Sequence, residues 1–188
     1  KGEKCNDHIE GCTFNHQFTN QVFLIGDCHM GSLMFDLKNR LTEEKFGLNT
    51  YVYGSCPYFP GFNKVNSNTN IVDKLCNNNL YSKLENIFLS QKNSIFIFGG
   101  RFPLYLNNNY FDNKEGGVEG ESFESKFISN GRFTNIEDSF KNSLNILSKN
   151  NKIILIYPIP EVGWDTQQRF NKLFPKKKYL NKKIPISE

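Results

Sequence analysis

QVFLIGDCHMGSLMFDL, residues 21–37, is the stretch around which the rest of the chain is arranged. Gln21–Ile25 sets Val22, Phe23, Leu24 and Ile25 in an unbroken apolar run, the pattern of a short strand buried on both faces of a parallel sheet. Gly26 allows a tight turn. Asp27 is placed to act as an N-cap, since its carboxylate can accept from the free N–H groups of the following turn. Met30, Leu33, Met34, Leu37 and Leu41 then recur at the spacing of one helical face. A strand therefore runs through a sharp turn into a helix, with Cys28 and His29 at the turn. Such a corner holds a side chain at the carboxyl end of a sheet, where helix N-terminal N–H groups can meet an anion. Taken alone, the same pattern also describes an ordinary strand-to-helix corner.

Two further stretches add to this. GDCH at Gly26–His29 resembles the first block of the SGNH hydrolase superfamily, GDS, in its GDSH form. FGGRFPLYL at Phe98–Leu106 and IYPIPEVGWD at Ile156–Asp165 narrow the likeness. The three together resemble the SGNH domain found at the C-terminal end of many family 3 membrane acyltransferases of bacteria, over roughly Cys5 to Asp165. The resemblance implies a flavodoxin-like three-layer α/β sandwich with a parallel sheet. It places Cys28 where the family has its serine nucleophile, with the Cys28 backbone N–H as one oxyanion donor. Gly54 falls about where the second block supplies another N–H. The third block usually supplies an Asn from G-x-N-D. Here it reads GGRF, so Arg101 is expected either to hold the oxyanion or an anionic part of the substrate, or to be a structural Arg paired with Asp27 or Glu161. Asp27 is expected to organise the cap and loop, and His29 to pack or touch substrate. Glu161 and Trp164 are expected to shape the cleft edge.

One part of the family's machinery has no counterpart. SGNH enzymes take their base from a D-x-x-H block near the C-terminus. No D-x-x-H occurs here, and the three histidines, His8, His16 and His29, are all N-terminal. The expectation is that the catalytic Asp and His lie beyond Glu188; the alternative is a domain that works as a binding module.

The bulk properties agree with a folded α/β domain. At 188 residues, with 38% hydrophobic and 22% charged residues, the chain can bury a real core. We read it as one domain over 1–188, with a lead-in at 1–20, an insertion loop at 107–132 and a partial C-terminal segment at 166–188. The net charge is +4. Much of it comes from Lys176, Lys177, Lys178, Lys182 and Lys183, read as a solvated tail, with weak attraction to anionic surfaces or glycans as the alternative. No nucleic-acid partner is expected. No apolar run approaches the ~20 residues that span a bilayer.

Cys5 and Cys12 lie close together in a polar, strand-poor lead-in, and Cys56 and Cys76 bracket one long loop. Two local disulfides, Cys5–Cys12 and Cys56–Cys76, would leave Cys28 single, the odd cysteine standing at the nucleophile turn. Disulfides imply an oxidising compartment such as the periplasm; five reduced thiols in a cytosolic protein are the alternative. No metal site is expected, because there is no C-x-x-C, and His8 and His16 make only a loose cluster with the first two cysteines.

Along the rest of the chain, Gly47 reads as the stop of the first helix, and Thr50–Tyr53 as a second strand. Cys56–Asn70 reads as a loop over the carboxyl edge of the sheet. Leu80, Leu84, Ile87 and Phe88 form a second helical stripe, and Ser94–Phe98 a third strand. Thr134–Glu137 fits a capping box. A third stripe follows at Ile136, Phe140, Leu144 and Leu147, and then a strand at Lys152–Tyr157. Alternating strands and helices predict a parallel sheet with helices on both faces and functional loops at its carboxyl edge. Cys28, Gly54, Arg101 and Glu161 all fall at strand ends of that kind.

The resemblance implies the extracytoplasmic (periplasmic) domain of an O-acyltransferase, tethered to the inner membrane through an N-terminal membrane acyltransferase domain of the same chain. That membrane part would deliver an acyl group, usually acetyl, from acetyl-CoA, with no cofactor in this domain. The acceptor would be a hydroxyl of a cell-surface glycan. A stand-alone carbohydrate esterase and an inactive glycan-binding domain are the alternatives.

Overall fold

The apolar run at Val22–Ile25 lies at the centre of a six-stranded sheet. The structure, a computed structural model, describes residues 4–6, 11–107 and 125–157, all within one compact unit. In chain order the elements are β1 (Lys4–Asn6), β2 (Gly11–Phe14), β3 (Asn20–Gly26), α1 (Cys28–Glu43), β4 (Phe46–Val52), β5 (Phe62–Asn66), α2 (Asn78–Leu89), β6 (Ile95–Gly99), α3 (Phe102–Asn107), β7 (Ser125–Ser129), α4 (Ile136–Leu147) and β8 (Lys152–Leu155). The main sheet has the order β1-β2-β4-β3-β6-β8, and β5 and β7 pair separately. β3 is parallel to β4 and β6, and β6 is parallel to β8. β2 is antiparallel to β4, and β1 to β2. The four strands expected to form a parallel sheet do so, which is the mixed α/β architecture of an SGNH hydrolase-like fold.

Alternation along β3 sorts the core into two layers. Val22 and Leu24 face α1, packing with Leu48, Met30 and the half-buried Leu33, Met34 and Leu37. Phe23 and Ile25 face α2 and α4, packing with Phe96, Phe98, Leu84, Phe88 and Leu147. Phe23 stacks on Phe96 with centroids 4.7 Å apart and meets Phe88 edge-on at 6.0 Å, the two arrangements that ring quadrupoles favour. Removing one such side chain from water contributes about 1.5–3 kcal/mol. Among the described residues, no helix is long and apolar enough to cross a membrane.

Several expectations about local structure need correcting. Residues 4–6 and 11–14 are not strand-poor but two strands of a hairpin, with Cys5 opposite Cys12 in the register. β4 begins at Phe46, four residues before the expected start at Thr50. Gly47 and Asn49 interrupt its apolar residues, so no apolar run marks its start, yet ladders on both sides fix it. Asn49 Nδ2 donates to Gln21 Oε1 at 2.8 Å, and Thr13 Oγ1 donates to Asn49 Oδ1 at 3.1 Å, a polar rung across three strands. Gly47 therefore lies inside a strand. α1 ends at Glu43, and it is Lys45 that takes the left-handed conformation, at φ 59°.

On α2 the buried side is Leu80, Tyr81, Leu84 and Phe88, while Ile87 is turned outward. The cap of α4 is Asn135, one residue later than expected. Asn135 Oδ1 accepts the Asp138 N–H at 2.8 Å, and Asn135 Nδ2 donates to Asp138 Oδ2 at 2.8 Å. The most buried line of α4 runs through Ser139, Ser143 and Leu147, because Ser139 Oγ donates to the Pro60 carbonyl. The stretch read as a loop after Cys56 contains β5, which pairs with β7 from the stretch read as an insertion. Residues 108–124 and 158–188 lie outside the described set, and with them Glu161, Trp164 and the partial C-terminal segment.

Candidate functional site at the carboxyl edge of the sheet

β3 and β6 end side by side, with Gly26 opposite Gly99 in the ladder. The Met30 side chain covers both, and a Cβ on Gly26 would run into the Gly99 carbonyl oxygen. Only glycine lets the two strand ends close up so tightly under the start of α1. Asp27 follows, in extended conformation, as the N-cap of α1.

The Asp27 side chain is fully buried. Oδ1 accepts the His29 main-chain N–H at 3.0 Å. Oδ2 accepts the Arg101 main-chain N–H at 2.8 Å and the Tyr105 hydroxyl at 3.2 Å. One carboxylate thus ties the first turn of α1 to the turn after β6 and to α3. Gly100 makes this approach possible: its φ is +144°, and a Cβ there would lie 3.0 Å from the Asp27 carboxylate carbon. Burial pushes the Tyr105 phenol far up, the Asp27 charge and hydrogen bond push it further, and a hydrogen bond with Ser55 works in the opposite direction. Tyr105 is thereby a neutral donor at physiological pH, and it links the turn after β4 to Asp27.

Cys28 is the first residue of α1. It is exposed and unpaired, at the positive end of the helix. The His29 side chain is 39% exposed, with Nδ1 3.4 Å from Asp27 Oδ1. That nitrogen is itself buried and makes no hydrogen bond. Gly54 sits exposed in the turn after β4, with no atom within 4 Å of where a Cβ would stand. It is the next residue, Ser55, at φ 50°, that reaches Tyr105. Arg101 is half-buried, and its main-chain N–H contacts the Asp27 carboxylate. Cys56 and Cys76 form a disulfide with Cα atoms 5.6 Å apart. Cys12 is disulfide-bonded as well.

Sequence reasoning missed Tyr105 and Ser55. The stretch FGGRFPLYL contained the signal for Tyr105, a tyrosine four residues after Arg101 and so one helical turn on. Among the described residues, the group able to bring three metal-ligating atoms together is Asp27, Cys28 and His29, all within 4.8 Å of one another. The carboxylate there is already committed to three donors, and the helix N-terminus favours an anion over a cation. An open groove of about 800 Å³ lies at the opposite, amino edge of the sheet, near Asn20, Lys92, Lys149 and Lys152, well away from Cys28.

Residues 2–187 match the model of one protein family, described as SGNH domain (fused to AT3 domains). No curated protein and no solved structure gives a significant match.

Proposed function

The chain belongs to the family of SGNH domains fused to AT3 domains, and from that membership we propose that it passes an acyl group to a hydroxyl of a cell-surface glycan. Acetyl is the first candidate for the acyl group. Membership associates the domain with an acyltransferase and with an N-terminal acyltransferase domain in the same chain. On our reading that membrane part draws the acyl group from acetyl-CoA, and this domain acts on the extracytoplasmic side. The disulfides of Cys12 and of Cys56–Cys76 support an oxidising compartment. Fusion to an acyltransferase favours transfer over a stand-alone esterase.

The observation that carries the reading is the placement of Cys28. It is a free, exposed thiol on the first turn of α1, at the carboxyl edge of a parallel sheet, with the buried Asp27 carboxylate fixing the turn beneath it. Acyl transfer through a covalent enzyme needs a nucleophile held in this way, with N–H donors facing the developing oxyanion. The test is glycan acylation in cells carrying the full-length protein as wild type, Cys28→Ser or Cys28→Ala. Loss of acylation in Cys28→Ala, with the protein still present at normal level, supports the reading. Wild-type acylation in Cys28→Ala removes Cys28 as nucleophile. Acylation gained by Cys28→Ser over an inactive wild type identifies a disabled, glycan-binding domain.

A further inference from the structure

We propose that the groove at the amino edge of the sheet is a second carbohydrate site, which holds acidic sugars of the acceptor while Cys28 lies at the opposite edge. The proposal rests on the reading of the acceptor as a cell-surface glycan. Four adjacent parallel strands begin at the floor of the groove, with Phe46 starting β4, Asn20 β3, Ile95 β6 and Lys152 β8. Its walls are the turns that follow α2 and α4, and its volume of about 800 Å³ is that of a cavity able to take a small ligand. The two turns are locked together. Asn93, at φ 58°, donates its main-chain N–H to the Asn150 carbonyl at 2.8 Å. Asn151 Oδ1 accepts the Ser94 N–H at 3.0 Å, and Asn151 Nδ2 donates to the Gln91 and Leu147 carbonyls, each at 3.1 Å. Walls fastened in this way lose little freedom when a ligand enters.

The lining suits a sugar acid. Lys92, Lys149 and Lys152 bring three exposed ammonium groups to the groove, and no carboxylate lines it among the described residues. The ion pairs found among the described residues leave all three lysines out. Helix C-termini attract cations, which would by itself account for Lys92 after α2 and Lys149 after α4. Yet the last carbonyls of both helices already have donors. Ile87 accepts from Ser90 Oγ and Gln91 Nε2, and Leu147 from the Asn150 N–H and Asn151 Nδ2. Lys152 heads a strand and serves no helix end.

Between the lysines stand the amides of Asn20, Asn93 and Asn150, which both donate to and accept from hydroxyl groups. Phe46 and Ile95 are half-buried and give the floor an apolar strip for the C–H face of a sugar ring. A carboxylate, several hydroxyls and an apolar ring face occur together on a sugar acid. An anionic bilayer instead takes an amphipathic face whose apolar side chains enter it. The groove and Cys28 lie at opposite ends of β3, about 20 Å apart at roughly 3.3 Å per residue. A chain of several sugars therefore reaches from one to the other, and holding it at the groove raises its effective concentration at Cys28.

The experiment titrates the full-length protein with a galacturonate oligosaccharide, a neutral galactose oligosaccharide of equal length, and inorganic polyphosphate. The galacturonate probe is expected to bind, less tightly as salt rises, and the neutral probe about 10-fold more weakly. Combining Lys92→Gln, Lys149→Gln and Lys152→Gln, all at exposed positions, should weaken galacturonate about 10-fold. Asn150→Ala should weaken galacturonate and leave polyphosphate unchanged. Carbodiimide coupling of the bound probe, read by mass spectrometry, should tag the three groove lysines. Equal affinity in wild type and the triple variant would overturn the proposal, as would coupling confined to the lysines at 176–178, 182 and 183. Polyphosphate bound as tightly as galacturonate would overturn the sugar class. The two failures separate. A protein that acylates glycan through Cys28 but ignores the probe overturns the groove alone. One that binds the probe through these lysines but acylates no glycan upholds the groove and overturns the acyl-transfer reading.

Discussion

Oδ2 of Asp27 accepts the Arg101 main-chain N–H at 2.8 Å, across 74 residues of sequence. This bond joins the two turns that close the carboxyl ends of β3 and β6. A buried carboxylate can stand here because it accepts three hydrogen bonds, from two main-chain N–H groups and one phenol.

Asp27→Ala leaves three donors without their acceptor, two of them main-chain groups that cannot turn away. A loss of about 3 kcal/mol in urea denaturation is expected. Asp27→Asn should also destabilise, because its amide must present N–H toward at least one donor. An Asp27→Asn protein as stable as wild type would show that the bonds to Oδ1 and Oδ2 do not both form.

Gly100→Ala is expected to lower stability and to loosen the site together. The added methyl presses on the Asp27 carboxylate from 3.0 Å, on a residue with φ of +144°, where a side chain is strained in any case. The cost should reach about 2 kcal/mol or more. The control is Gly54→Ala, in open space, which should stay within about 0.5 kcal/mol. Equal effects from both would place the strain elsewhere.

Reduction should cost stability through the Cys56–Cys76 link, which closes 20 residues of chain. About 3 kcal/mol is expected from the loop alone, and more if reduction also frees Cys12. Tyr81, whose hydroxyl lies 3.0 Å from the Cys76 sulfur and donates to the Pro57 carbonyl at 2.9 Å, should change its near-ultraviolet signal on reduction. Before reduction, a native thiol count should find Cys28 and leave Cys56 and Cys76 unlabelled. Labelling of all five cysteines would contradict the oxidising compartment.

Alkali should unfold the protein in a single step tied to tyrosine ionisation. Burial raises the phenols of Tyr51, Tyr53, Tyr58, Tyr81 and Tyr105. A phenol that ionises only after unfolding lets the unfolded state give up its proton first. Its contribution is therefore fully present below the free tyrosine value of about 10 and is lost as pH rises beyond it. Lys64, pushed down by burial, works the other way over the same range, but it is one group against five. Denaturant midpoints measured from pH 8 to 11, with absorbance at 295 nm, test this. The chain has eight tyrosines, the exposed Tyr157 among them, so phenolate absorbance beyond that of three tyrosines, appearing while the fold persists, would show the five rings to be wetter than the structure has them.

How far the site could be read in advance depended on how local its signals were. The β3–α1 corner, with Cys28 on the first turn, was legible because an apolar run, a turn glycine, a cap and a helical stripe follow one another without a gap. The partners of Asp27 were not. Arg101 was noticed for its side chain, yet its main-chain N–H makes the bond to Asp27. Tyr105 lies 78 residues from the carboxylate it serves. The β5–β7 pair was equally hidden, since each strand is short, half polar, and far in sequence from the other.

The sequence by itself determined the alternation of the four parallel strands with α1, α2 and α4, which faces of β3 and α1 are apolar, and which cysteine stands at the sheet edge. Those follow from side-chain periodicity and capping, which act within a turn or two of chain. The tertiary structure alone decided that one buried carboxylate would collect donors from α1, from the turn after β6 and from α3, and that His29 Nδ1 would stand 3.4 Å from it. It also decided that the stretches read as a lead-in and as loops would yield strands. Those outcomes depend on backbone hydrogen-bonding groups finding partners across long separations, and every residue carries such groups, so the pattern of residue types leaves no mark of which will meet.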